Sequence, residues 1–272
     1  MSKSSSKCLL QLQSGVPHVV GVANNVDKLV YSTDPRNRRR YDLLELRADD
    51  PRIRKHPRVT KRLLPEIGHP KILTVRDESQ GGAQGITLTK RAEIYLDFMA
   101  NAKKYGIVAI DIEVDLLDNP AFQEVLWFAN ELNIGLIASH HDFSSYAPSL
   151  GDLLKRLKLA VGMYHAAVFK VAVNATNIRE LRRVGKLFCH PAVVENRIKL
   201  SAMSINPANT ELSRCSYGTC GATRLTKKPI VSALNYGRLL HDPDPKVTAQ
   251  PTVDELRMAF LSGLDYSLAK LE

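Results

Sequence analysis

Long apolar runs are missing from this 272-residue sequence, and their absence removes a large class of protein at once. No stretch approaches the roughly 20 apolar residues that a membrane-spanning helix needs. The opening MSKSSSK leads into only a short apolar patch with no signal-peptide core or cleavage site, so a cytoplasmic protein without membrane contact is expected. Cysteine is sparse. Cys8, Cys189, Cys215 and Cys220 contain no CxxC pair and the last two match no common zinc spacing, so buried free thiols are expected and a metal is not. The basic runs at 36–40 (RNRRR) and 52–62 (RIRKHPRVTKR) lack interleaved aromatics, and no helix-turn-helix pattern or zinc knuckle accompanies them. The net charge of +10 is therefore read as suiting a small anionic substrate, with no nucleic-acid partner.

What is present is alternation. Short apolar, β-branched runs lie at 18–23, 42–47, 71–76, 107–114, 135–142, 167–173, 198–204 and 229–234, their starts about thirty residues apart. The segments between them carry helical spacing, as in Ala92/Tyr95/Leu96/Met99 and Leu153/Leu154/Leu157. Strand–helix alternation repeated in this way predicts a (β/α)8 barrel, a TIM barrel, as a single domain over residues 1–272. Extra strand structure is expected before it, over residues 9–19. An open doubly wound sheet is the alternative, but no Gly-rich dinucleotide turn follows the first run. Thr252-Val253-Asp254-Glu255 has the form of a capping box at the start of the last helix.

Chemistry in such a barrel gathers at the C-terminal ends of the strands. There the sequence places Glu45, Arg47, Arg76, Asp111, Glu113, Ser139, His140, His141, Lys170 and Ser232, a dense polar set for a barrel interior. Lys170 stands inside AAVFKVAV. By the period of two it shares a face with Val168 and Ala172, whereas Phe169 and Val171 point the other way. Desolvation and neighbouring cations such as Arg76 or Arg214 are expected to favour its neutral amine, which adds to ketones to form an imine. His140 and His141 point to opposite faces and so do not chelate one ion; one of them, facing in beside the lysine, suits general acid/base work. Arg214, with Arg47 and Arg76, supplies forks suited to a carboxylate. Gly218 and Gly221 leave open an anion nest for a phosphorylated substrate.

These residues together resemble the type I 3-dehydroquinate dehydratase family. Leu44-Glu45-Leu46-Arg47-Ala48-Asp49 is similar to its E-x-R-x-D signature, Val75-Arg76 through Gly81-Gly82 to its arginine and double glycine, and Asp111-Ile112-Glu113 to its fourth-strand motif. Ser139-His140-His141-Asp142-Phe143, Phe169-Lys170, and Met203-Ser204 with Ser213-Arg214 resemble its histidine, lysine and seventh-strand motifs. The resemblance implies a dehydration without metal or cofactor. In it Lys170 forms the imine, His141 removes the proton beside the imine carbon and later protonates the departing hydroxyl, and Arg214 binds the substrate carboxylate. Glu45, Arg47, Arg76 and Ser232 would hold hydroxyls and orient the ring. Two positions depart from the family pattern. Gln80 stands where a histidine-orienting glutamate is usual, and Tyr236 where a substrate-contacting glutamine is usual. The first reading is thus dehydration of 3-dehydroquinate in the shikimate pathway, a step of aromatic amino acid biosynthesis; a homodimer is allowed for. The alternative is a related protein that acts on another cyclic hydroxy-ketone acid or binds it as a non-catalytic sensor. A Schiff-base aldolase is a third class, and would need a phosphate site.

Overall fold

Alternation along β6, Val168–Val173, divides the molecule into an inside and an outside. Val168 and Ala172 pack inward with Val20, Leu43, Ile72, Ala109, Ile137 and Met203. Phe169, Val171 and Val173 join the layer that meets the helices. Burying each large apolar side chain of that layer contributes about 1.5–3 kcal/mol, and a one-residue slip of the strand would exchange the two faces and leave the Lys170 ammonium among helix-facing hydrocarbon.

The computed structural model describes residues 9–12, 16–206, 232–240 and 250–261. Seven further strands have the same character: β1 His18–Ala23, β2 Leu43–Arg47, β3 Lys71–Thr74, β4 Ile107–Glu113, β5 Gly135–Asp142, β7 Leu200–Ser204 and β8 Leu234–Arg238. All ladders are parallel and run β7-β6-β5-β4-β3-β2-β1-β8. The two ends of that order meet through Ala233 N donating to Leu200 O at 2.6 Å, Ser201 Oγ donating to Leu234 O at 2.6 Å, and Ala202 N donating to Ser232 Oγ at 3.2 Å. Helices Leu88–Met99, Pro120–Glu131, Leu150–Leu157, Ile178–Gly185 and Val253–Leu261 follow strands in turn. The architecture is the (β/α)8 barrel.

Polar residues start these helices as capping chemistry requires. Thr87, Asn119, Ser149 and Asn177 each accept a backbone N–H of the first turn. At the last helix Glu255 N donates to Thr252 Oγ1 at 3.1 Å while Thr252 N donates to Glu255 Oε2 at 2.6 Å, the reciprocal pair expected of its capping box.

Two elements differ from expectation. Residues 9–12 form no strand, and the run becomes extended pairing only at β1. Leu10 and Leu12 are buried against the inner cluster, and their segment is held by Leu9 N donating to Asn133 O and Lys199 Nζ donating to Leu12 O. Every strand of a barrel already has two neighbours, so this apolar segment finds burial without an edge to pair with. The eighth strand begins where it was expected to end: it covers 234–238 instead of 229–234, and residues 229–231 lie outside the described residues. Its place is set by the ladder His18↔Leu234 through Val22↔Arg238, which a run containing Asn235, Gly237 and Arg238 does not advertise by hydrophobicity. Cys189 is a free thiol but is exposed, since the turn Lys186–Cys189 ends at the surface. Cys8, Cys215 and Cys220 lie outside the described residues. No helix among the described residues is long and apolar enough to cross a membrane.

Candidate active site

The inward faces of β2, β4, β6 and β8 bring four side chains together above the apolar floor. Lys170 Nζ lies 2.9 Å from Asp111 Oδ2, 3.4 Å from Glu45 Oε1, and 3.8 Å from the centroid of the Tyr236 ring. Glu45 Oε1 also accepts from Thr74 Oγ1 at 2.9 Å. All four residues of the cluster are at most 4% exposed, so the ammonium is removed from water and its charge is met by carboxylates and a π face. Arg76, expected near Lys170, shares its Asp111 oxygen, but the nearest charged partners of the ammonium are the carboxylates of Asp111 and Glu45.

A second layer of charge secures the first. Arg76, 2% exposed, places Nη2 2.9 Å from Asp111 Oδ2 and donates from Nη1 to Ser139 Oγ at 2.6 Å. Glu113 Oε1 lies 3.5 Å from Arg76 Nη1 and accepts from Asp77 N at 2.7 Å. Arg91 enters from helix Leu88–Met99, donating to Glu113 Oε2 at 2.5 Å, to Asp77 Oδ2 at 2.9 Å and to the Val75 carbonyl. Glu45, Asp111 and Glu113 are thus opposed by Lys170, Arg76 and Arg91. Burial works against the Asp111 carboxylate, yet Arg76 and Lys170 outweigh it and hold its pKa far below the usual range. Asp111 and Glu113 lift the Arg76 pKa despite burial, so it stays charged. Asp111 Oδ1 is buried with no hydrogen-bond partner among the described residues, an acceptor left for something that enters the barrel.

His141 faces the same interior. Burial, then Arg76 and Lys170, press its pKa well below the ordinary 6.5, with Asp111 opposing, so the imidazole is neutral at physiological pH. Gln80 Oε1 accepts from His141 N at 2.9 Å and lies 3.4 Å from its Nδ1. That contact favours the tautomer with hydrogen on Nδ1 and a free lone pair on Nε2. His140 points out of the barrel, 3.8 Å from Asp115 Oδ2, its pKa lowered by burial and Arg156. The two histidines therefore lie on opposite sides of the wall, as the alternation requires.

Two glycines deliver Gln80. Gly81 has φ +83°, and a Cβ there would also stand 2.8 Å from Phe143. A Cβ on Gly82 would fall 2.1 Å from the Arg76 carbonyl oxygen, a contact no side chain survives. Arg47 anchors the same loop: its guanidinium pairs with Asp49 at 2.8 Å and donates to Gly81 O at 3.3 Å. Ser232 is fully buried and lies before β8, not on it, where its hydroxyl accepts from Ala202 N and donates to Leu234 O at 3.3 Å. Its oxygen serves the β7–β8 seam. Arg214, Gly218 and Gly221 lie outside the described residues. The structure thus brings Lys170, Glu45, Tyr236, Arg76, His141 and Gln80 into one network, with Arg47 at its rim. Asp111 is the member that sequence reasoning left without a role, although its inward parity with Glu113 on β4 was a usable signal. Arg91 had none.

The type I 3-dehydroquinase family model matches residues 19–261. The 3-dehydroquinate dehydratase of Geobacillus sp. (strain WCH70) is 29% identical over 187 residues, which cover 66% of this chain and 67% of that protein. The 3-dehydroquinate dehydratase of Clostridium kluyveri is 26% identical over 170 residues, and the chain spans 60% of that relative's length. Among solved structures, the type I 3-dehydroquinate dehydratase of Clostridium difficile superposes with a TM-score of 0.75 at 19% identity, covering 94% of this chain and 95% of that one. The barrel, the order of its motifs and a family match over most of its length agree: the chain belongs to the type I 3-dehydroquinase family.

Proposed function

We propose that this chain dehydrates 3-dehydroquinate through an imine on Lys170, as a step of the shikimate pathway in the cytoplasm. The observation that carries the reading is a primary amine held against a carboxylate inside the barrel, with a neutral histidine facing the same space. The relatives named above are 3-dehydroquinate dehydratases, which supports the choice of substrate.

In this reading Lys170 nitrogen adds to the ketone carbon and the carbonyl oxygen leaves as water, giving a protonated imine. Neutral His141 takes a proton from the adjacent carbon; the released electron pair forms a C=C bond to the imine carbon, and the C=N π pair moves onto the Lys170 nitrogen. The resulting enamine expels the hydroxyl, to which His141 returns its proton, so that water departs and a conjugated imine remains. Hydrolysis frees the enone and restores Lys170. Arg214 would bind the carboxylate, and Glu45, Arg47, Arg76 and Tyr236 would hold and orient the ring, whereas Ser232, expected among them, spends its hydroxyl on the β7–β8 seam. Asp111 Oδ1 is suited to accept from a ligand hydroxyl. The chemistry calls for no cofactor and no metal.

Ultraviolet absorbance of the enone on mixing pure protein with 3-dehydroquinate tests the reading. Enone should appear with the wild type, be absent with Lys170→Met, and form about 10²–10⁴-fold more slowly with His141→Ala. A wild type that binds 3-dehydroquinate and yields no enone would favour the second reading, a binding protein or an enzyme for a related ring-ketone acid. Gln80 and Tyr236 are the observations that favour that alternative.

A further inference from the structure

Lys170 Nζ meets three acceptors: Asp111 Oδ2 at 2.9 Å, Glu45 Oε1 at 3.4 Å and the face of Tyr236 at 3.8 Å. They match the three N–H bonds of an ammonium. Tyr236 is carried to this place by β8 and is wedged, 4% exposed, among the apolar residues of the inner cluster. Its ring therefore covers one side of the nitrogen.

The three acceptors respond differently when the nitrogen becomes an imine. A protonated imine keeps the positive charge but only one N–H, so Asp111 and Glu45 can no longer both be satisfied by Lys170. The ring face is attracted by the charge, not by a proton, so its contact persists through the change. Hydrolysis needs what the ring opposes. Water must reach the carbon joined to that nitrogen and pass through a tetrahedral intermediate. Both water protons end on nitrogen, the C–N electron pair returns to nitrogen, and the oxygen stays on carbon as the ketone.

We propose that Tyr236 shields the Lys170 imine, so that covalent adducts in this chain resist hydrolysis. The inference rests on the imine reading above and concerns how long the adduct lasts, not whether it forms. A ring-ketone carboxylate that lacks the leaving hydroxyl serves as probe. The loaded protein is diluted, quenched with borohydride at intervals, and the Lys170 peptide weighed. Tyr236→Phe keeps the ring, and its adduct lifetime should stay within about twofold of wild type. Tyr236→Gln should shorten the lifetime about 10-fold, the scale of a desolvated cation–π contact. Equal lifetimes for wild type and Tyr236→Gln overturn the proposal, as does a Tyr236→Phe adduct as short-lived as that of Tyr236→Gln.

A second arm needs no cognate ligand. Formaldehyde with cyanoborohydride methylates lysines through a small imine, and Lys90, with its side chain 63% exposed, is an internal reference. The ratio of methylation at Lys170 to that at Lys90 should rise in Tyr236→Gln if the ring blocks access. An unchanged ratio overturns the shielding whatever the ketone does. A ratio that rises, together with no ring-ketone adduct in the wild type, contradicts the dehydration reading and the adduct lifetime drawn from it, and leaves only the ring's cover over the nitrogen.

Discussion

A neutral amide beside His141 gives the histidine a different working range from a carboxylate. Gln80 positions the ring through its oxygen but adds no charge, while burial, Arg76 and Lys170 all push the imidazole toward its neutral form. In the proposed dehydration proton abstraction uses neutral His141, so the acid limb of kcat/KM should lie below the ordinary histidine value of 6.5. Gln80→Glu places a negative charge at Nδ1, favours the imidazolium and should move that limb to higher pH. Rate profiles against pH for the two proteins check this; superimposable profiles would mean that Gln80 does not act on His141. On the proposed role of Arg214, Arg214→Lys should weaken binding of the carboxylate ligand by about 1.5–3 kcal/mol in a calorimetric titration, because the charge would remain but a two-point fork would be lost. At this scale the sequence speaks clearly where a strand's period of two decides direction: Lys170, His141 and Glu45 all face in. It is silent where a partner arrives from elsewhere. Nothing in the sequence pairs Arg91 with Glu113, 22 residues away on another element, or assigns the Ser232 hydroxyl to backbone groups.

The connection from β3 to helix Leu88–Met99 is the element on which the site most depends. It carries Arg76, Asp77, Gln80 and the double glycine, and it is clamped by Arg91 from the helix and Glu113 from β4. Arg91→Met should cost about 3–5 kcal/mol, measured by denaturant unfolding, because it leaves Glu113 and the Val75 carbonyl buried without this partner. Gly82→Ala should displace Gln80 from His141 even where the barrel still folds, since the added carbon meets the Arg76 carbonyl. Loss of kcat with an unchanged far-ultraviolet spectrum is the expected signature. Strands β1 to β7 are readable from the sequence because each is a short apolar run bounded by turns. The eighth is not, because its register is imposed by β1 and by closure of the barrel rather than by its own hydrophobicity. The segment at 9–12 misleads for a related reason: its leucines advertise burial, and burial alone does not specify pairing.

Among the described residues the buried histidines, aspartates and Lys71 make stability rise with pH, while burial raises the pKa of Tyr41 and Tyr95 and so acts the other way above 10. Burial lowers the pKa of His18, His69, His140 and His141, so the unfolded chain binds more protons below 6.5 and stability should fall as pH drops through that value. Asp49 and Asp111, held low by Arg47 and by Arg76 with Lys170 against the effect of burial, contribute stability above 3.8 that is lost at lower pH. Burial brings Lys71 down to about 8 from 10.5, which adds a further rise in stability between those values. Thermal melting from pH 4 to 10 should therefore climb in steps; a flat profile would mean these groups are not buried as described. The central claim is that one amine inside the barrel does covalent work, and borohydride reduction in the presence of 3-dehydroquinate tests it most directly. The account predicts a single ligand mass added to each chain, found on the peptide that contains Lys170 and absent from Lys170→Met. A saturated, folded protein that gains no mass, or gains it on another lysine, would contradict it.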